Sequence, residues 1–512
     1  MRSRSILALW LVAFFAICCL RTLIADDDTG ETARQDAIEL IVFPHGSPAR
    51  IDAQFKIDNV SISEIWTDTF SKLHKYCDRD GDGALSNAES QRAPTSYGLR
   101  QVAWGQLALQ AGRFIPFDEA DSDRDGAISV GELASYYRHE GLGNAIVGAG
   151  KGNIDALLTN ALLKQIDVNH DGETNQGEWQ TASKLLESLD SNGDGLLGPG
   201  ELIAQLTYPG ANGTILLKPI ARAAPRSPSD EFVFALLSQQ KDDFSWGALV
   251  NANRAKLSLQ PLEESNLREM LEEAPTFKLS VSLDSKSDQQ STIESTPPIQ
   301  IEKCRMSLAT QQGKLSEQLA ATTKQFKDGF AGADTNRDAI VDAKELEGPN
   351  LAFLKDLLFF ADLNDDSNFT QAELTVFLEL QQQIAKSHVV LTILDQGSGL
   401  FELLDTDCDA SLSSRELRNA WRRIESEGCT QEEKFVRDRL PYQIRMIASL
   451  GRPVMLMGKP KRTGPGWFLA MDRNNDGEVS KGEFIGEPAH FLTIDADHND
   501  FIDDIEAIGR KQ

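Results

Sequence analysis

The chain has 512 residues, 41% of them hydrophobic, and a formal net charge of −27. A surface that acidic excludes nucleic acid as a partner on electrostatic grounds. The apolar content is ample for folded domains, and the length suggests two to four of them.

Residues 1–25 read as a signal peptide. Arg2 and Arg4 precede an apolar run from Ile6 to Leu20, and Ala25 before Asp26 offers a cleavage point. Leu23 is larger than its position prefers, so an uncleaved signal anchor stays open, although the run is shorter than the ~20 residues that span a bilayer. Ile17 argues against a lipid anchor on Cys18 and leaves one on Cys19 weak. The protein is therefore expected to be secreted, periplasmic or cell-surface, with no stable membrane insertion unless this segment is uncleaved. Loss of Arg2, Arg4 and Arg21 with the leader takes the charge from −27 to −30. Residues 26–60 form a linker with β character, because Ile51, Ala53, Phe55 and Ile57 alternate with polar residues.

From Asp78 onward one twelve-residue pattern recurs nine times: an oxygen side chain at positions 1, 3 and 5, and Glu at position 12. The cleanest copy carries Asp78, Asp80, Asp82 and Glu89, with the main-chain carbonyl of Ala84 at position 7. The next three are Asp121, Asp123, Asp125, Ala127 and Glu132; Asp167, Asn169, Asp171, Glu173 and Glu178; and Asp190, Asn192, Asp194, Leu196 and Glu201. The second half adds Asp334, Asn336, Asp338 and Glu345; Asp362, Asn364, Asp366 and Glu373; and Asp405, Asp407, Asp409 and Glu416. Two more close the chain: Asp472, Asn474, Asp476, Glu478 and Glu483; and Asp495, Asp497, Asn499, Phe501 and Glu506. Such spacing suits calcium, a hard cation that takes six to eight oxygens at about 2.3–2.6 Å. A bidentate Glu at position 12 fills a seventh site that octahedral magnesium cannot use.

Position 6 must turn with positive φ, and Gly83, Gly126, Gly172, Gly195 and Gly477 do so without steric cost. Ala339, Ser367 and Ala410 stand there in three loops, where a Cβ costs roughly 1–2 kcal/mol, so weaker binding is expected. Asp500 tolerates the left-handed conformation better. Position 8, where paired loops join through a short strand, is apolar in Leu85, Ile128, Leu197, Val341, Phe369, Leu412, Val479 and Ile502; Thr174 is the exception.

These loops resemble the EF-hand superfamily, over nine loops and their flanking helices. The text GPGWFLAMDRNNDGEVSKGEF, followed by FLTIDADHNDFIDDIEA, is similar to secreted multi-EF-hand proteins of bacteria, planctomycete-like ones in particular. The resemblance implies a mainly α fold of tandem EF-hand arrays with Ca2+ as the cofactor.

Loop starts 78 and 362 are 284 apart, as are 121 and 405, while 167 and 472 are 305 apart, as are 190 and 495. This predicts two duplicated four-loop units plus one extra loop at 334–345, with an insertion between Glu416 and Asp472. The first unit would span 61–207 and the second, with five loops, 311–512. Between them, 208–310 reads as a minor β-containing or irregular segment: Phe277, Leu279, Val281 and Leu283 alternate with polar residues, and Asp284 to Pro298 is a polar linker. Loops starting 23 residues apart leave room for one shared helix, supported by Trp179, Ala182, Leu185, Leu186 and Leu189, so each is expected to pair with an earlier loop of its unit.

Steady external calcium favours a structural role over sensing. Met446, Met455, Met457 and Met471 gather in the second unit, where a core role is the plainer reading of them. No HExxH, G-x-S-x-G, phosphate-binding loop or CxxC is present, which argues against an enzyme. The text GLGNAIVGAGKG, from Gly141 to Gly152, reads as a link between helices, and His170 and His498 as exposed non-ligands within loops. Cys77, Cys304, Cys408 and Cys429 are too few for a disulfide framework, leaving a Cys408–Cys429 bridge or four free thiols. The main expectation is a secreted binding or scaffolding protein with structural calcium and an unknown protein partner. A calcium store of a secretory or periplasmic compartment, or an enzyme-associated factor, is the alternative.

Overall fold

The computed structural model describes residues 37–103, 114–151, 155–204, 206, 218–220, 232–237, 245–285, 299–311, 313, 315–342, 344–347, 352–451, 453 and 463–509. The expectations for the leader, for the polar linker beyond 285 and for Met455 and Met457 lie outside these residues. Among the described residues, no helix is long and apolar enough to cross a membrane.

The expected mainly α fold of tandem arrays is overturned by two sizeable β-sheets. The first is five-stranded. In it, Ala37–Val42 and Ala49–Ile57 run antiparallel, Phe234–Leu236 extends one edge, and Phe277–Leu283 lies parallel to Ala49–Ile57. Both alternating segments anticipated from sequence are strands, and they pair with each other: Ile51 with Phe277, Ala53 with Leu279, Phe55 with Val281 and Ile57 with Leu283. The stretch expected to lie between two helical arrays is thus bound to the N-terminal segment.

The second sheet has six strands, in the order Lys218–Ile220, Ile146–Lys151, Val390–Gly397, Tyr442–Ser449, Cys304–Gln311 and Ile299–Ile301. Its centre holds the parallel pair Ile146–Lys151 and Val390–Gly397, whose strands come from opposite halves of the chain. None of these central strands shows alternation. Val390–Gly397 reads VLTILDQG and is buried almost throughout, as a strand covered on both faces should be. The glycine-rich text around Gly148 and Gly150, read as a link between helices, is a buried central strand. Tyr442–Ser449 falls inside the supposed insertion, yet pairs with Val390–Gly397 on one side and Cys304–Gln311 on the other.

Helix Ile62–Cys77 shows why the helices settle on these sheets. Ser61 caps it, its hydroxyl accepting from the Glu64 N–H, and Ile62, Trp66, Phe70, Leu73 and Cys77 bury one stripe at spacings of three and four. That stripe joins Phe55, Met306, Ile393 and Met446 in the largest core, where Phe70 stacks on Tyr137 with ring centroids 5.4 Å apart. Met446 is a core residue, as its composition suggested.

Strand, helix, loop, loop, helix, strand, helix, loop is the order of elements from Ala49 to Glu178, and again from Cys304 to Glu416. It sets the loop at 334 opposite the loop at 78, so the supposed extra loop has a counterpart, and the four-loop partition drawn from loop spacing does not describe the fold. The shared helix is also absent. Residues 176–189 form two short helices, Gln176–Trp179 and Lys184–Leu189, and near the C-terminus Gly486 precedes a separate helix, Pro488–Ile494, that starts on its proline. All four described cysteines are free, and Cys77, Cys304 and Cys429 are buried.

The position-8 side chain Phe369 is fully buried, whereas Ile340, one residue before its bridging partner Val341, is 36% exposed. Phe369→Ala should cost about 3–5 kcal/mol in a denaturant melt, and Ile340→Ala well under half of that; equal costs would show that the bridge does not anchor this core.

Nine candidate cation loops

The described residues of the nine loops share one pattern of hydrogen bonds. In each, the Glu at position 12 accepts the N–H of position 2, over distances from 2.6 Å (Thr406 to Glu416) to 3.2 Å (Val168 to Glu178). The other oxygen of that Glu accepts the N–H of position 9. Position 9 is also the residue that caps the exiting helix: Ser86, Ser129, Asn175, Thr370, Ser413 and Asp503 each close a capping box with their Glu. The carboxylate at position 12 is therefore placed by the same bonds that start the helix. This S/T/N/D-x-x-E signal stood in the sequence and was not used.

The remaining side chains are aimed in the same way. Position 3 accepts the N–H of position 5, from 2.8 Å at Asn169 to 3.1 Å at Asp80. Position 5 accepts the N–H of position 7, as Asp82 does from Ala84 and Asn499 from Phe501. In eight loops the Asp at position 1 accepts the N–H of position 6, at 2.9–3.1 Å. Asp472 is the ninth; it is 1% exposed. These bonds from the loop's own N–H groups hold the donor side chains in place, and each position-12 Glu uses both of its oxygens in them.

Position 6 has positive φ everywhere, including Ala339, Ser367, Ala410 and Asp500 at 65°, 61°, 74° and 70°. Position 4 has it too: Gly81, Arg124, His170, Gly193, Arg337, Asp365, Cys408, Asn475 and His498. Sequence reasoning missed this second turn, because only two of the nine residues there are glycine. The exposed sites of His170 and His498 are as expected.

Four loops bring an oxygen from positions 1, 3 and 12 within 4.8 Å of one another: Asp78, Asp80 and Glu89; Asp121, Asp123 and Glu132; Asp405, Asp407 and Glu416; Asp495, Asp497 and Glu506. These are the four loops with Asp at both positions 1 and 3, the other five having Asn at position 3; two of the four carry no glycine at position 6, so a Cβ there does not prevent the carboxylates from converging. The donors are oxygens throughout, with no thiol or imidazole among them, which fits a hard cation rather than zinc.

The loop at 405–416 makes the electrostatic case for a cation. Asp405 is 3% and Glu416 7% exposed. Burial, and then the charges of Glu416, Asp407 and Asp409, push the Asp405 carboxyl well up. Burial followed by Glu416 and Asp409 pushes Asp407 up to about 7. Asp476 is likewise pushed up to about 7, mainly by burial. Glu132, on the surface, is the opposite case: hydrogen bonds led by the Ser129 N–H hold it down at about 2. A buried Asp362 oxygen, Oδ1, has no hydrogen-bond partner. A divalent cation would satisfy that oxygen and offset the crowding of the buried carboxylates.

Between loops, the contacts are those that position 8 promised, with partners it could not name. Leu85 bridges Ile128, Val341 pairs with Phe369, Leu412 with Leu197, and Val479 with Ile502. All eight side chains are fully buried. The two C-terminal loops therefore face each other, and the loop at 190–201 pairs across the halves with that at 405–416; neither follows the expected pairing within four-loop units. Without a continuous shared helix, the chain between the last two loops can fold back. Thr174, the polar exception, marks the loop that bridges no other loop among the described residues. Its carbonyl accepts the Phe435 N–H from the hairpin Thr430–Phe435, and its hydroxyl accepts from Trp179 Nε1.

A family model described as EF hand matches residues 114–135 and 466–485. Those two segments are EF-hand motifs. They contain the loops at 121–132 and 472–483 and imply calcium binding there. No curated protein and no solved structure matches the chain.

Because Asp407 and Asp476 hold protons up to about pH 7 in the metal-free protein, calcium must displace them below that pH. Titration calorimetry in buffers of different ionisation enthalpy should show more protons released per calcium at pH 6 than at pH 8. A folded-state pKa raised above the unfolded value favours folding as pH falls from about 7 toward the ordinary carboxylate range. The metal-free protein should therefore melt higher at pH 5.5 than at pH 8; the reverse order would remove these two groups from the account. Glu132→Gln should reduce the number of calcium ions bound by one, read by the same calorimetry at pH 7.5.

Proposed function

We propose that this chain is a secreted, non-enzymatic calcium-binding protein that folds around its ions and serves in binding or scaffolding. The carrying observation is that loop pairs are the joints of the tertiary structure. The Leu197–Leu412 pair ties the first half of the chain to the second, and the pairs at Leu85–Ile128 and Val341–Phe369 end helices that pack on the sheets. All nine loops share the same hydrogen bonds on their donor side chains, which supports extending calcium binding beyond the two matched segments. An acidic chain whose loops cross-link its core needs cations to hold buried carboxylates together. The signal-like N-terminal text supports an extracellular setting, where steady calcium keeps good loops filled.

Filling a site stabilises the folded state by ~2.7 kcal/mol at a hundredfold excess of calcium over the dissociation constant. Thermal melts of the full chain in calcium and in EGTA should differ by many degrees, with the core tryptophans and the helical signal moving together. An unchanged midpoint would overturn the structural reading, and loss of only local order in EGTA would favour a calcium store.

A further inference from the structure

The helix that leaves the loop at 405–416 carries an unusual side chain two residues past its position-12 Glu. Arg418, on helix Ser414–Ser426, donates from Nη2 to both oxygens of Glu478, at 2.6 and 2.8 Å. Its guanidinium carbon lies 3.9 Å from the ring centroid of Phe501, and Nη1 bonds the Ser414 hydroxyl at 3.0 Å. Glu478 and Phe501 are the position-7 residues of the last two loops, those whose main-chain carbonyls are the expected cation ligands. Glu478 is 3% exposed, so its charge depends on this arginine, with Arg415 Nε farther off at 3.9 Å. The paired loop at 190–201 lies against the same assembly: a Cβ on Gly195 would come within 2.8 Å of Asn474 Nδ2.

We propose that Arg418 couples calcium filling of the loop at 405–416 to filling of the pair at 472–483 and 495–506, so that three loops load cooperatively. The proposal rests on the calcium reading above. Glu416 starts the helix that carries Arg418, and drawing Glu416 onto a cation fixes that helix. Arg418 then holds Glu478 and Phe501 together across the bridge formed by Val479 and Ile502. A planar guanidinium that bonds Glu478 through Nη2 and Ser414 through Nη1 while lying over the Phe501 ring joins three groups at once, which a lysine ammonium cannot do.

The test is hydrogen exchange of residues 466–509 in the full chain as calcium is titrated. Glu416→Gln removes the distant loop's bidentate ligand and should raise the calcium midpoint for protection of 466–509 about fivefold or more. Arg418→Met should raise that midpoint and abolish the further effect of Glu416→Gln. Arg418→Lys, which keeps the charge and guards against misfolding of the methionine variant, should also lose most of the coupling. A Glu416→Gln effect of unchanged size in either Arg418 background, or no effect in the wild type, overturns the coupling while leaving calcium binding intact. Absence of any calcium-dependent protection of 466–509 in the wild type overturns the calcium reading itself.

Discussion

Eight apolar side chains, each at position 8 of an acidic loop, meet in four buried pairs, and the arrangement of the chain depends on where those pairs form. The constraint is electrostatic as much as hydrophobic. Each pair places two sets of carboxylates on either side of a short β bridge, and the bridge can close only if the charge beside it is tolerated. Hydrogen bonds from the loop's own N–H groups meet part of that demand. A cation would meet the rest, most clearly at 405–416, where Asp405 and Glu416 are buried beside Asp407 and Asp409.

The same logic explains why the protein is not a string of helical hands. Loop pairs bring their helices together but leave one side of each helix apolar, and short helices cannot bury that side on one another. The sheets supply the missing surface. Helix Ile62–Cys77 packs near strand Ala49–Ile57 and buries Trp66 and Phe70 in the core that the central strands Ile146–Lys151 and Val390–Gly397 share with helices from both halves. The loop at 167–178 shows the rule by departing from it: with Thr174 in place of an apolar residue, it takes a hairpin as its partner.

Basic residues join one loop pair to the next. Arg79 and Arg92 bond the main chain of Phe360 and Asp362, linking the loop at 78–89 to that at 362–373, and Arg418 does the equivalent for the C-terminal pair. In a chain with so large an excess of acid, these few arginines are placed where backbone carbonyls and buried carboxylates of different loops meet. Calcium loading at one joint would then have a hydrogen-bonded route to its neighbours.

The sequence by itself determined the chemistry of each loop, because the ligands, the turns and the helix cap all lie within twelve consecutive residues and are set by local bonds. It also marked the position-8 residues as apolar joints between loops, and Thr174 as different. The strands at Ala49–Ile57 and Phe277–Leu283 were legible because one face of each meets polar neighbours. Only the tertiary structure decided which loops pair, and it did so against the spacing arithmetic. Equal spacing records the order of loops, whereas pairing depends on where sheets formed from distant, evenly buried strands such as Val390–Gly397 and Tyr442–Ser449 place the helix ends. Those strands carry no alternation, and their partners lie up to hundreds of residues away, so no local window contains the information that fixes them.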